Sequence, residues 1–304
     1  MQAPAQLPQS RHNHQPESRV ATSIRNLAAP TLWIGFGPST PGGVHNFTPG
    51  LIGELDSTID QIYRPQPPVA RLHPDSPAYA VIQSHDPNYF SQGGDLAFFL
   101  DCIRRRDAQQ LHRYSMSCLD LLIRWTAQLK ETTTTISLVQ GRALGGGFEL
   151  ALASDHIVAE EQSTFGFPEI TFGLFPCTGA MGLISAKANP FVAERMMTNK
   201  KVYTANELLE MGLVDEVCPS GTGELAVERY IANHAKRRKA RLKIQQSRHR
   251  HARIDYEEGS RIVQDWVETA MALDADEIRQ LELLILMQES TLETPTGDPS
   301  RKVA

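Results

Sequence analysis

Four cysteines in 304 residues leave little for cysteine chemistry to do. Cys102, Cys118, Cys177 and Cys218 are widely spaced and form no C-x-x-C pair. Reduced thiols in a cytoplasmic protein are the simplest reading. His12, His14, His249 and His251 stand among polar residues without cysteine partners, so no metal site is expected. No apolar run approaches the roughly 20 residues that span a bilayer, and no membrane partner is expected. Met1 to Ser18, rich in Gln, Pro, Ala and His, lacks the apolar core of a signal peptide and reads as a disordered tail. Phosphate-loop Lys-Ser or Lys-Thr and the G-x-G-x-x-G spacing are both missing, which disfavours a nucleotide site. The net charge of −5 argues against a generic nucleic-acid binder. There is no internal repeat.

What is present describes an ordinary globular chain, 41% hydrophobic and 21% charged, with material for a sizeable core. Structure is expected to begin near Thr31, where Thr31 to Phe36 reads as a strand closed by Gly37-Pro38. Leu51, Ile52, Leu55, Ile59 and Ile62 then repeat at helical spacing behind Thr48-Pro49. Strands are expected at 80–84, 136–140, 156–160 and 214–217, and helices at 95–103, 107–129, 205–211 and 224–235. Two further helices fit 255–273 and 275–289. Strands separated by helices indicate an α/β fold.

Three loops carry possible chemistry. In His85 to Gly94 a strand ends and Gly93-Gly94 permits close approach of backbone to a ligand. Taken alone it is more often a plain turn, with Asp95 capping the next helix. Leu144-Gly145-Gly146-Gly147-Phe148-Glu149 sets a glycine triplet and a carboxylate at a helix start, where free N–H groups can meet negative charge. Phe165-Gly166-Phe167-Pro168-Glu169 places a second carboxylate among aromatic and apolar neighbours. Desolvation there raises a carboxyl pKa toward a range useful for proton transfer. The bland reading of Glu169 is a helix cap or an arginine partner.

Together the three loops resemble the crotonase (enoyl-CoA hydratase/isomerase) superfamily. The likeness runs through Gly93-Gly94-Asp95-Leu96, Gly141 to Glu149, Gly166 to Pro176, and Tyr203-Thr204-Ala205 through Gly212-Leu213-Val214-Asp215, covering roughly residues 30–290. The resemblance implies a crotonase-like ββα spiral core with a C-terminal helical region. It implies that the backbone N–H groups of Gly94 and Gly146 form an oxyanion hole for a thioester. Glu149 and Glu169 would then handle protons at C2 and C3 of the acyl chain. No cofactor is implied beyond the substrate's own carrier, either acyl carrier protein or CoA.

Several stretches look closer to the bacterial diffusible-signal-factor synthases: Gly93 to Phe99, Leu138 to Glu149 with its Phe148, Gly173-Leu174-Phe175-Pro176, and Trp266 to Met271. Cys177 departs from that pattern, where glycine is usual. This likeness implies dehydration of a medium-chain 3-hydroxyacyl thioester to a cis-2-enoyl thioester. Hydrolysis would then release a free fatty-acid quorum-sensing signal. The alternatives are a 2-enoyl-CoA hydratase/isomerase and a non-catalytic crotonase-fold binding protein. The expected organisation is a disordered tail at 1–25, a core at 26–220, a helical oligomerisation region at 221–292 and a disordered tail at 293–304. A homotrimer or dimer of trimers is expected from the apolar surface of helices 255–289, and a regulatory sensor-domain protein is a candidate partner. The basic stretch from Lys236 to Arg253 reads as a solvated helix face, as a dock for acyl carrier protein or CoA phosphates, or, least of all, as an RNA site.

Overall fold

The computed structural model describes residues 19–38, 42–63, 77–128, 132–252 and 254–290. The tails expected at 1–18 and 293–304, together with Leu129 and Arg253, lie outside the described residues.

Two sheets organise the chain. In the larger, β1 (Val20–Asn26) and β2 (Pro30–Phe36) form an antiparallel hairpin. From β2 the pairing is parallel: β3 (Tyr79–Ser84), β5 (Thr134–Val139), β7 (His156–Glu160), then β10 (Glu216–Cys218). The smaller sheet has β4 (Tyr89–Ser91), β6 (Arg142–Leu144) and β8 (Thr164–Gly166) in parallel, with β9 (Tyr203–Thr204) antiparallel at its edge. Each of β3, β5 and β7 leads directly into its partner in the small sheet, and a helical segment follows. These segments are α2 (Leu96–Arg104) with α3 (Ala108–Ile123), α4 (Gly146–Leu152), and a 3₁₀ turn over Glu169–Phe172. Three such turns make the ββα spiral.

The central strands are apolar because both faces are covered. Ile34, Ile82, Val139 and Ile157 face one core cluster. Their neighbours Trp33, Val81, Leu138 and Val158 face a second cluster with Val227 and Ile231 of α8 (Gly223–Ala235). This is the two-residue period of a strand. The first cluster is completed by Leu51 of α1 (Pro49–Tyr63), Ile184 of α5 (Ala180–Lys187), Met196 of α6 (Pro190–Thr198) and Leu208 of α7 (Ala205–Glu210). Thr48 Oγ1 caps α1 by accepting from Leu51 N at 3.2 Å, with Pro49 at the first position.

The C-terminal region is helical: α9 (Arg238–His251), α10 (Tyr256–Met271) and α11 (Ala275–Ser290). The amphipathic α10 buries Val263, Trp266, Val267 and Ala270 and packs on α3. α11 lies on α2 and the 3₁₀ turn.

Two expectations need correction. Among the described residues the first element is β1, which precedes Thr31 and lies largely inside the tail expected to reach residue 25. This strand is an edge strand whose middle residues are exposed, so it carries no apolar signature. The small sheet falls in stretches that read as loop or as strand ends in the sequence. Its strands run two or three residues, too short for any period to register. A smaller shift moves the strand expected at 214–217 to Glu216–Cys218.

Candidate active site

The small sheet positions the site. Its three parallel strands lie side by side in the order β4, β6, β8, and each releases one of the three loops singled out in the sequence. Gly93-Gly94 follows β4, Gly145-Gly146 follows β6, and Pro168-Glu169 follows β8. Segments far apart in sequence therefore emerge next to one another.

Close backbone approach dictates the glycines. Gly93 has φ of 91° and Gly145 has φ of 51°, conformations that a side chain disfavours. A β-carbon on Gly93 would stand 2.9 Å from Leu144 O and 3.4 Å from Gly146 N, so the β4 and β6 loops touch through bare backbone. A β-carbon on Gly94 would overlap the Phe99 ring. The β4 loop is held from behind by Gln92 N donating to His45 O at 2.7 Å and Phe47 N donating to Gly93 O at 2.9 Å. The β6 loop is tied to the β8 strand by Gly145 N donating to Gly166 O at 2.9 Å. Among the described residues no acceptor meets the N–H of Gly94 or of Gly146. Gly146 opens α4, so its N–H is one of the helix's free donors and carries the positive end of its dipole.

Glu149 projects from the first turn of α4 into the interior and is 2% exposed. Its Oε1 accepts from Thr178 N at 3.0 Å and Ala180 N at 2.9 Å, and its Oε2 from the Thr178 hydroxyl at 2.5 Å. Burial pushes its pKa up, and these donors oppose the rise. Glu169 opens the 3₁₀ turn. Its Oε2 is buried with no partner among the described residues. Burial, helped by the nearby Glu149 charge, pushes its pKa up to about 8. Both carboxylates reach the glycine turn. A β-carbon on Gly145 would overlap Oε1 of Glu169, and one on Gly146 would lie 3.9 Å from Oε2 of Glu149.

These groups line one cavity of about 210 Å³. Its walls are mostly apolar, from Ile52, Leu96, Phe99, Leu122, Phe172 and Trp266 among others, and Leu284 and Met287 of α11 complete them from the same chain. Phe99 and Trp266 meet edge to face with centroids 5.1 Å apart. Such walls suit a hydrocarbon chain. Arg142 is the one cation among the lining residues, beside Tyr89.

Gly94, Gly146, Glu149 and Glu169, all singled out in the sequence, thus converge on the cavity. Phe148 does not line it. That ring is fully buried against Phe165 and Phe167, with centroids 5.1 Å away in both cases. Phe175 and Cys177 do line it. Burial holds the Cys177 thiol well above its usual pKa and pushes Cys118, which also lines the cavity, up to about 12. Both therefore stay protonated and serve as wall. Sequence reasoning misses Thr178 as a partner of Glu149, and Gln92 and Arg142 as lining. It also misses Tyr114, whose hydroxyl donates to Phe47 O at 2.6 Å behind the β4 loop. In the sequence Tyr114 is no more than one member of an apolar helix face.

Arg238 to His251 of the basic stretch form helix α9, and none of its residues lines the cavity. Gln245 Nε2 donates to Thr133 O at 3.1 Å, while Arg248 Nη2 and His249 Nε2 meet the buried Asp155 at 2.7 and 2.5 Å. α9 thus sits where β5 and β7 begin, at the ends opposite to those that lead into β6 and β8. Among the described residues no helix is long and apolar enough to cross a membrane, and no cluster of His, Cys, Asp and Glu could hold a metal ion.

The comparisons with known proteins agree with this geometry. The structure of enoyl-CoA hydratase from Bacillus halodurans superposes with a TM-score of 0.71 at 21% identity, covering 88% of this chain and all of that one. This likeness shows the fold. The probable mitochondrial enoyl-CoA hydratase of Dictyostelium discoideum is 30% identical over 59% of this chain and 58% of its own length. The 2,3-dehydroadipyl-CoA hydratase of Escherichia coli is 40% identical over 28% of this chain and 33% of its own. The chain thus matches less than two thirds of the length of these curated relatives. The family model described as enoyl-CoA hydratase/isomerase matches residues 70–265, well over half of the chain. This span takes in all three site loops, and the chain belongs to the enoyl-CoA hydratase/isomerase family.

Proposed function

We propose that this protein catalyses reversible addition of water across the C2–C3 bond of a 2-enoyl thioester, carried on CoA or on acyl carrier protein. The reading is carried by one observation: two carboxylates flank the Gly145-Gly146 turn while the N–H groups of Gly94 and Gly146 lack acceptors among the described residues. The thioester oxygen would accept from both N–H groups. Each such donor is worth about 3 kcal/mol to a developing enolate.

The two glutamates differ in a way that supports separate tasks. Glu149 is met by the hydroxyl and N–H of Thr178 and the N–H of Ala180, with the Gly179 N–H beside them, donors that favour the carboxylate, the form that accepts a proton from water. Glu169, with its pKa raised to about 8, is protonated at neutral pH. In hydration, water oxygen bonds to C3 and its proton passes to Glu149. The C2–C3 π electrons move into the enolate, and Glu169 gives its proton to C2. Return of one proton from Glu149 to Glu169, directly or through water, resets the pair. Dehydration runs the same steps backward.

The test is hydration of crotonyl-CoA and longer 2-enoyl-CoA thioesters by the purified protein, beside Glu149→Gln and Glu169→Gln. Loss of turnover of about 10²–10⁴-fold in each variant is expected. Wild-type inactivity on every enoyl thioester, or full activity in both variants, refutes the reading. Release of a cis-2-unsaturated acid, a fatty-acid signal, is a second reading. It draws support from Phe175 in the cavity wall, within the Gly173-to-Pro176 stretch that resembles the signal synthases. Mass spectrometry of acids released from 3-hydroxydodecanoyl-acyl carrier protein separates the two.

A further inference from the structure

We propose that Thr178 is a positioning residue that divides the labour of the two glutamates: its hydroxyl, donating to Oε2 of Glu149, keeps that carboxylate as proton acceptor and leaves Glu169 to carry the transferable proton. The inference rests on the hydratase reading and deepens it.

The geometry is asymmetric. Glu149 is buried, Glu169 is half-buried with its Oε2 out of solvent, and both line the same cavity. Burial alone would push both toward the neutral acid. Glu149 meets the hydroxyl and N–H of Thr178 and the N–H of Ala180, with the Gly179 N–H beside them, where the chain enters α5. Glu169 Oε2 meets none among the described residues. Thr178 supplies two of these donors, one from its backbone and one from its side chain. Only the second depends on residue type. A hydroxyl can also donate to Glu149 while accepting from water in the cavity, which would hold that water beside the carboxylate that deprotonates it. Thr178 is 5% exposed and lines the cavity, so its hydroxyl has access to such a water.

The titratable groups facing Glu149 are Glu169 on the 3₁₀ turn, Cys118 on α3 and Cys177 on the loop before Thr178. Both thiols are held above their usual pKa, so neither supplies charge that would order the glutamates. Of the groups that do, the Thr178 hydroxyl is the one side-chain donor among the described residues.

The experiment is a ¹³C NMR titration of protein labelled at glutamate side-chain carboxyl carbons, with Glu149→Gln and Glu169→Gln to assign the two signals. Thr178→Val keeps shape and both backbone donors and removes the hydroxyl; Thr178→Ser keeps the hydroxyl. The Glu149 midpoint should rise by about one pH unit or more in Thr178→Val, as expected for loss of a charge-assisted bond, and stay at the wild-type value in Thr178→Ser. Crotonyl-CoA hydration should lose about tenfold in kcat in Thr178→Val with KM within about twofold, a transition-state loss. An unchanged Glu149 midpoint in Thr178→Val, or a Thr178→Ser protein that titrates like it, overturns the proposal. Should Thr178→Val not fold by circular dichroism, Thr178→Ala takes its place. The titration needs no substrate, so failure of this proposal is distinguishable from failure of the hydratase reading in the turnover assay.

Discussion

Gly145 and Glu169 occupy mutually exclusive space: a β-carbon on the first would overlap Oε1 of the second. The contact joins the β6 loop to the β8 loop in the cavity wall. Gly145 also sits at φ of 51°. Gly145→Ala should therefore strain the turn and displace the Glu169 carboxyl together. A fall in kcat of about 10²-fold or more is expected, since small misplacements of a catalytic group are costly. Steady-state hydration of crotonyl-CoA measures it, and an Ala variant within twofold of wild type would contradict this geometry.

On the proposed hydratase reading, Glu169 should give the two directions of the reaction the same alkaline limb. Hydration starts from neutral Glu169 and ionised Glu149, dehydration from the reverse arrangement, and both need the single proton that the pair shares. Loss of that proton as pH rises through about 8 should lower kcat/KM in both directions together. Initial rates in both directions from about pH 6 to 10 show whether the limbs coincide. A flat profile across the Glu169 midpoint removes this residue from the proton-transfer step.

The same residue should shape stability. Its pKa when folded is about 8, against an ordinary 4.5. Between those values the folded chain holds a proton that the unfolded chain releases, so stability from this group is complete below about pH 4.5 and is lost as pH rises through 8. Glu169→Gln carries no such charge. Its Tm should exceed that of wild type at about pH 8.5 by more than it does at about pH 5. Equal differences at both pH values would show that the Glu169 carboxyl titrates normally in the folded protein.

Asp155 should matter to the fold and leave the chemistry alone. It is buried before β7 and holds Arg248, His249, Gln245 and the backbone and hydroxyl of Thr135. Asp155→Ala should cost about 3 kcal/mol by orphaning these donors and detaching α9, with kcat within about twofold. Urea unfolding gives the first number and hydration assays the second.

Leu286 and Leu283 on the outer side of α11 are 60% and 43% exposed. We propose that this apolar stripe meets another copy in a trimer or a dimer of trimers. Sedimentation of wild type should give a trimer or hexamer at micromolar concentration, and Leu286→Lys should shift it toward monomer. A monomeric wild type contradicts the proposal.

What is legible in the sequence follows from how each feature is encoded. Gly146, Glu149, Pro168 and Glu169 are readable because they stand in short motifs whose order and spacing together resemble one family's. The long helices α3 and α10 are readable because many residues repeat one period. Thr178 is not, because its task exists only once the chain brings it back from 29 residues away to Glu149. Phe148 shows the converse: a residue beside Glu149 in sequence faces Phe165 and Phe167 in space. The small sheet leaves no sequence signal for want of length, although it gathers the site.

That sheet behaves as a ruler. Neighbouring strands lie about 4.8 Å apart, and β4, β6 and β8 release the Gly94, Gly146 and Glu169 loops in that order. On the proposed reading Gly94 and Gly146 share one mark, the thioester oxygen, and Glu169 takes the next, at C2. The offset between oxygen and proton would then be inherited from hydrogen bonding between backbones, leaving the apolar far walls to set which acyl chain fits.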